Sequence, residues 1–358
     1  MTTFATNDLK ALMPLINAAR ATARKNLLHD CLLVSADDNG LHVKTPLKLY
    51  VTIGARGELP CTVVSHKAFA AAVRSCGKAI TLSRDDEGLV VESDGITLRL
   101  EAKPDDYAEL MHGERCENSS LWFIVPGDAL AAAIDATAIA VSTEETRYYL
   151  NGVYLHTDGA SIAAVATDGH RLVKKTFAAS VRETKHTAIV PREALPALRR
   201  LCRGKRDIEV YRDGERIIFN GQDGVMVVRF IDGIFPDYEK VIPPTKARVT
   251  WIAGDASELM TAARAIMPRA KDSIGTCVVV DATSTAPTMA TKTATARIAV
   301  TASNGKTTPR IGFNVRYLAE MLGLEQGPVR ISFHDHASPA VFDGADATLT
   351  RVLMPMRI

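Results

Sequence analysis

The sequence has no run approaching the ~18 apolar residues needed to cross a bilayer, and no charged-then-apolar leader follows Met1. These absences argue against a membrane-spanning helix and predict a soluble, cytoplasmic chain. Six cysteines are present (Cys31, Cys61, Cys76, Cys116, Cys202 and Cys277), but none share C-x-x-C spacing. That excludes a zinc ribbon or a redox pair and predicts reduced, mostly buried thiols. Neither G-x-x-x-x-G-K-[ST] nor H-E-x-x-H occurs, so the chain lacks the loop that cradles ATP phosphates and the helix of a zinc protease. Net charge is small as well, +2 at pH 7. Any nucleic-acid function must therefore rest on where charge is placed. What remains is a 358-residue chain, 47% hydrophobic and 23% charged, long enough for roughly two to three domains with separate cores.

The chain repeats. "VVSHKAFAAAVRSCGKAITLSRDDEGLVVESDGITLRLEAKPDDY", "IVPREALPALRRLCRGKRDIEVYRDGERIIFNGQDGVMVVRFIDGIFPDY" and "GFNVRYLAEMLGLEQGPVRISFHDHASPAVFDGADATLTRVLMPMRI" each read as a short strand, an amphipathic helix and alternating strands separated by Asp/Gly turns. Looser copies begin at "FATNDLKALMPLINAARA", "FIVPGDALAAAIDATAIAVS" and "WIAGDASELMTAARAIM", with Asp128 and Asp255 placed as N-caps. Six modules of helix plus sheet pair into three domains, 1–117, 118–246 and 247–358, with seams near Asn118 and Ala247. The apolar tail "RVLMPMRI" is the last strand of the final copy.

Alanine-rich helices such as "AFAAAV" and "ALAAAI" bury a thin stripe and leave a face free for charge. Cations recur on or just after these helices: Lys10, Arg20, Arg24 and Lys25; Lys67, Arg74 and Lys78; Arg199, Arg200, Arg203, Lys205 and Arg206; Arg264, Arg269 and Lys271. A solvated helix face explains any one of these groups; their recurrence suggests a basic lining.

Six segments, "TRYYLNGVYL", "ATDGHRLV", "IVPREAL", "FPDYEKVIP", "GFNVRYLAEML" and the tail "LMPMRI", resemble in order the bacterial DNA polymerase III β subunits, the replicative sliding clamps. The resemblance implies an α+β DNA-clamp fold of three similar domains, closed head to tail as a homodimeric ring. Helices would line the hole and sheets the outer wall. Twelve helices at ~8–10 Å spacing give a hole of roughly 35 Å, wide enough for hydrated duplex. Such a ring would bind double-stranded DNA through phosphates without sequence preference, and would be retained by topology. It would be a non-catalytic processivity factor without cofactor or metal. Its implied partners are the replicative polymerase catalytic subunit, the clamp loader and other replication and repair proteins carrying a clamp-binding motif.

The resemblance also implies sites. A groove for a partner's extended peptide falls on Leu155, Thr167, Gly169, His170, Arg171, Leu172, Pro236, Lys240, Val241, Asn314, Tyr317, Val352, Met354, Pro355, Met356 and Arg357. Methionine suits such a surface, because its flexible thioether repacks around different anchors. Candidate DNA contacts are Arg24, Lys25, Arg74, Arg147, Tyr148, Tyr149, Arg199 and Arg203, where an aromatic could stack on an unpaired base. A dimer seam would bring Thr97 and Leu98 of one copy near Ile266 and Met267 of the other, covering edge strands.

Three features depart from the family pattern. The sequence pI is about 8.2, whereas these clamps are generally acidic. Ser273 stands where an aromatic often rims the groove. The Thr/Ala-rich stretch from Asp281 to Thr308 reads as a long surface loop. Two other classes compete. A metal-dependent hydrolase would use His334 and His336 of "FHDHA", which share a face if the segment is a strand. A sequence-specific DNA-binding regulator would need a helix-turn-helix reading base edges, but these helices lead into strands.

Overall fold

The computed structural model describes the chain except residues 1, 6–8, 11–12, 15, 18–29, 39, 46–48, 54–56, 105–118, 203–205, 222–223, 268–276, 283–286, 293, 301, 304–309 and 358. Six times the chain runs strand, helix, three strands. The first module holds β1 (Thr2–Ala5), helical residues within 9–17, β2 (Cys31–Asp37), β3 (Gly40–Lys44) and β4 (Leu49–Ile53). The second holds β5 (Leu59–Ser65), α1 (His66–Ser75), β6 (Ala79–Arg84), β7 (Gly88–Ser93) and β8 (Ile96–Glu101). The third holds β9 (Ser120–Pro126), α2 (Gly127–Ala138), β10 (Gly152–Asp158), β11 (Ser161–Thr167) and β12 (Arg171–Ala178), trailed by β13 (Ser180–Val181). The fourth holds β14 (Thr187–Pro191), α3 (Leu195–Leu201), β15 (Asp207–Asp213), β16 (Arg216–Gly221) and β17 (Gly224–Arg229). The fifth holds β18 (Thr250–Asp255), α4 (Ala256–Ile266), β19 (Cys277–Asp281), β20 (Thr288–Ala290) and β21 (Thr295–Arg297), trailed by β22 (Ala302–Ser303). The sixth holds β23 (Arg310–Asn314), α5 (Val315–Leu322), β24 (Pro328–Phe333), β25 (Ala340–Asp343) and β26 (Leu349–Leu353).

Local chemistry sets the helix starts. The side chains of Ser65, Asp255 and Asn314 each accept first-turn N–H groups of α1, α4 and α5, in the usual manner of N-caps. Asp128 does not cap its helix. Because α2 already begins at Gly127, Asp128 lies inside the first turn and accepts from Ala129 N–H at 2.8 Å. Helix α1 buries Phe69, Ala70, Ala72 and Val73 while Lys67 and Arg74 stay exposed, which is the division of faces expected from its alanine-rich sequence.

The chain forms two compact units. One comprises Met1–Ile134, His156–Ile162 and Ala178–Asp232, and the other Asp135–Leu155, Ala163–Phe177 and Gly233–Ile358. Within the first, the opening strand of one module joins the sheet of the next: β1 pairs with β6, opposing Thr2 to Leu82, and β5 pairs with β2, opposing Ser65 to Cys31. The second unit repeats the exchange, β18 pairing with β24 and β23 with β19. Neither module of such a pair has a complete sheet alone, so the two must order together.

Longer sheets arise where last strands meet. In the first unit β4 pairs with β17, giving the order β13-β9-β15-β16-β17-β4-β3-β2-β5. In the second, β12 pairs with β26, opposing Arg171 to Leu353 and Lys175 to Leu349. The last strands β8 and β21 each have one ladder partner among the described residues, β7 and β20. The interior is aromatic and aliphatic, with Trp122, Phe123 and Phe219 fully buried in the first unit and Phe313, Phe333 and Phe342 in the second.

The Thr/Ala-rich stretch is not a long loop. Its described part folds as β20, β21 and β22, with Thr288–Ala290 paired to Val279–Asp281 and Met289 buried. Threonine's β-branched side chain favours that pleated surface, and one buried methionine anchors the meander. Cys31, Cys61, Cys76, Cys202 and Cys277 are all free thiols, and Cys116 lies outside the described residues.

Candidate functional site

The apolar tail starts as a core strand and ends as a strap. Val352 and Leu353 of β26 are buried between β12 and β25. Beyond them Met354 N–H donates to the His170 carbonyl at 2.8 Å, and Met356 N–H donates to the Gly312 carbonyl at 2.8 Å. Pro355, which lacks an N–H, stands between the two bonds. The Cys277 thiol reaches the Arg357 carbonyl at 3.9 Å. Met354, Pro355 and Met356 are held by their backbone with side chains only half-buried.

The turn between β11 and β12 that receives Met354 is built by "TDGHR". Asp168 Oδ1 accepts from the N–H groups of His170 and Arg171 at 2.9 and 3.0 Å, and the Thr167 hydroxyl donates to the Arg171 carbonyl at 2.7 Å. Gly169 has φ +88°, and a Cβ there would lie 2.5 Å from Arg147 Nη1, so glycine suits the position twice over. Arg171 is 9% exposed. Its Nε donates to Asp168 Oδ2 at 3.0 Å, its Nη1 donates to the Glu320 carboxylate of α5, and its guanidinium lies 4.1 Å over the Tyr317 ring. The His170 ring faces Tyr317 at 6.4 Å.

These contacts draw Thr167, Gly169, His170, Arg171, Asn314, Tyr317, Met354 and Met356 into one neighbourhood. Leu155, Leu172 and Val352 are buried, with Leu172 opposite Val352. Pro236 belongs to a segment anchored by Phe235, which stacks on Tyr154 at 4.7 Å. The following turn connects to β12 through Lys174, 5.5 Å over the Tyr238 ring. Val241 is exposed, and Lys240 is exposed and bonded to Asp237 at 2.9 Å, which raises its pKa. Two participants escaped sequence reading. Glu320, which neutralises Arg171, is one helical turn from Tyr317, and only that spacing could have suggested it. Arg351 lies inside "LTRVL", where a cation in an apolar strand was the signal. It is 0% exposed, and its Nη2 donates to Glu325 at 3.0 Å.

The other named residues fall elsewhere. Arg147 donates to Glu144 at 2.8 Å, a bond that holds the Glu144 carboxyl below its ordinary pKa, and to the Asp168 carbonyl at 3.4 Å. Tyr148 is 53% exposed and meets Tyr149 edge-on at 5.8 Å. Arg74 and Arg199 are exposed in the last turns of α1 and α3. Thr97 and Leu98 lie on β8; Ile266 is buried at the end of α4, leaving Met267 half-buried after it. Arg24, Lys25, Arg203 and Ser273 lie outside the described residues. "FHDHA" is not a strand: β24 ends at Phe333, and Asp335 accepts from Ala337 N–H and Ser338 Oγ, so the shared-face argument for His334 and His336 fails. No group of three or more His, Cys, Asp or Glu placed to hold a metal occurs among the described residues, and no described helix is long and apolar enough to cross a membrane.

Comparison with known proteins agrees along the chain. The profile of the DNA polymerase III beta subunit, central domain, matches residues 124–237. The beta sliding clamp of Caulobacter vibrioides is 31% identical over 304 residues, covering 78% of this chain and 77% of its own. That of Salmonella typhimurium is 27% identical over 342 residues, covering 93% and 92%. The crystal structure of the Pseudomonas aeruginosa sliding clamp bound to griselimycin superposes with a TM-score of 0.84 at 25% identity, covering 100% of both chains. The chain belongs to the β sliding clamp family of bacterial DNA polymerase III, and its function is the family's: a non-catalytic DNA sliding clamp that confers processivity on replication.

Proposed function

We propose that the strap Met354–Arg357, half-buried as far as Met356, forms with the β11–β12 turn and the start of α5 a groove for a short extended peptide of partner proteins. The observation that carries this reading is the tail itself. Its two backbone bonds, to the carbonyls of His170 and Gly312, fix its course while leaving methionine side chains able to repack. Leu155, Leu172 and Val352 supply an apolar floor, and His170, Arg171, Asn314 and Tyr317 a polar wall. Pro236, Lys240 and Val241 complete the rim. The partners are the replicative polymerase catalytic subunit, the clamp loader and other proteins with the same short motif, meeting the clamp in the cytoplasm.

Two copies close head to tail around duplex DNA. The pairing rule supports this: last strands meet as β4 with β17 and β12 with β26, and among the described residues β8 and β21 are the last strands left over. Thr97, Leu98 and Met267 fall at that seam, with Ile266 packed beneath. The exchange of opening strands supports three domains, 1–117, 118–246 and 247–358. Exposed Arg74, Arg199 and Tyr148 would face DNA, with Arg147, Tyr149, Arg24, Lys25 and Arg203 as further candidates; Tyr149 meets Tyr148 edge-on.

Fluorescence anisotropy with a labelled glutamine-leucine-x-leucine-phenylalanine peptide tests the groove, using the intact protein and a version stopped after Leu353. Saturable binding that vanishes on truncation, with the dimer intact, is the expected result. Loss of the dimer on truncation would make the tail structural instead. No binding to the intact, folded protein would overturn the groove.

A further inference from the structure

Arg171, Arg216, Arg248 and Arg351, all drawn into the fold, are each paired with a carboxylate. Arg212 of β15 is half-buried and has no ion pair among the described residues. Its guanidinium lies 4.0 Å over the Phe230 ring, Nη1 donates to the Gly214 carbonyl, and Nε is shielded from solvent without a hydrogen-bond partner. Burial holds its pKa below the ordinary value, and no acid opposes that shift. A desolvated cation without a counter-charge is costly, and a bound anion would offset the cost.

Polar groups from two other segments gather beside it. Ser120, opposite Arg212 in the β9–β15 ladder, places its Oγ 3.0 Å from His186 Nε2. His186 ends the loop between β13 and β14, which is pinned where the N–H groups of Arg182 and Glu183 reach the Trp122 carbonyl at 2.8 and 3.3 Å. The imidazole is half-buried and meets the Trp122 ring edge-on at 6.1 Å. Burial, then the charge of Arg212, push its pKa below the ordinary value against the weaker pull of Glu183. Arg182 and Lys185 of the same loop are exposed and carry no ion pair among the described residues. The nook thus gathers Arg182, Lys185 and Arg212 against one acid, Glu183.

We infer that Arg212, Ser120 and His186 form an anion site that takes a phosphate group, free or at the end of a nucleotide. Donors on three separate segments suit a tetrahedral oxyanion better than a flat carboxylate. Phe230 holds the guanidinium in place, so little ordering remains for the ligand to impose. An arriving dianion reverses the field at His186, which takes a proton from solvent and becomes a second charged donor. Every residue of the site belongs to the first compact unit, whereas those of the groove proposed above belong to the second. The site also lies on a sheet, apart from the helices that carry Arg74 and Arg199.

The test uses full-length protein with isotope-labelled histidine and follows the His186 ring signal by NMR, assigned by its loss in His186→Gln. Sodium sulfate, whose charge does not change across neutral pH, is titrated at fixed ionic strength. The signal should shift saturably, and affinity should rise roughly three- to tenfold from about pH 7.5 to about pH 6 as His186 charges. Inorganic phosphate should give the same shift, and a dinucleotide carrying only a phosphodiester should not. Arg212→Gln should abolish the shift and Ser120→Ala should weaken binding roughly threefold, with circular dichroism showing that both variants fold. No saturable shift in the unmodified protein would overturn the inference, and so would undiminished affinity in folded Arg212→Gln. A response to the diester alone would make this a nucleic-acid backbone contact and overturn it as well. If Arg212→Gln does not fold, Arg212→Lys decides: it keeps the charge without the fork and should bind roughly threefold more weakly, whereas equal affinity sinks the assignment.

Discussion

Replacing Arg351 by methionine should be among the most destabilising single changes in the unit that contains the tail. The side chain is 0% exposed and that of Glu325 is 6% exposed. Their pairing at 3.0 Å is supported by a 3.1 Å bond from Arg351 Nη1 to the Met321 carbonyl near the end of α5. Removing the cation leaves a buried carboxylate without its counter-charge, with a 3.3 Å bond from Gln326 N–H as its remaining donor among the described residues, a loss of about 3–5 kcal/mol. At roughly 2–4 °C per kcal/mol for a body of 150–250 residues, Tm should fall by roughly 6–20 °C. Replacing both partners, Arg351→Met with Glu325→Leu, should restore most of that loss, because a well-packed apolar pair avoids the desolvation of both ions. Gly344 gives an internal control. A Cβ there would sit 1.6 Å from Glu325 Oε2 and 2.9 Å from Arg351 Nη2, so Gly344→Ala must push the pair apart. It should cost about 1–3 kcal/mol in the natural background and less in the apolar double variant. Urea denaturation gives the magnitudes, and hydrogen exchange should locate the loss in β26 and α5. An Arg351→Met protein within about 0.5 kcal/mol of the unmodified one would refute the reasoning, since that is the range of ordinary surface substitutions.

Edge strands and acid give two further expectations. Along an antiparallel edge, successive N–H groups point alternately toward and away from the ladder partner, so of Thr97→Pro and Leu98→Pro one should spare the β7–β8 ladder. That variant should sediment as a folded monomer; a dimer persisting in both would place the seam elsewhere. For acid, burial pushes the Asp346 carboxyl up, but the bonds from Lys175 and Thr348 outweigh it and leave the pKa below its ordinary value. A depressed folded pKa contributes stability above the unfolded value of about 3.8 and loses it as pH falls through the folded one. Asp346→Asn should therefore be slightly destabilising near neutrality, by under ~1 kcal/mol because the carboxylate is partly exposed. The difference should close in strong acid, and a difference that widens there would contradict the assigned ion pair.

Much of this protein is legible from residues a few positions apart. Ser65, Asp255 and Asn314 announce their helices because capping is a contact across three residues. "TDGHR" announces its turn because Asp168 bonds its own near backbone and Gly169 takes a positive φ. The sixfold strand–helix–strand rhythm follows from local periodicity, and so does the tail's start as a strand. Tertiary structure decided which strand lies beside which. The exchange of β1 and β5, and the meeting of β12 with β26, join segments far apart in the chain whose register is set by burying matched faces. It also decided the electrostatics of the groove. Arg171 meets Glu320 across 149 residues, and Arg351 of β26 meets Glu325 of the α5–β24 connection, 26 residues earlier. The reach of the physics separates the two sets: a cap or turn is complete within its own residues, whereas an ion pair or a sheet edge exists only after distant segments have been brought together by burial.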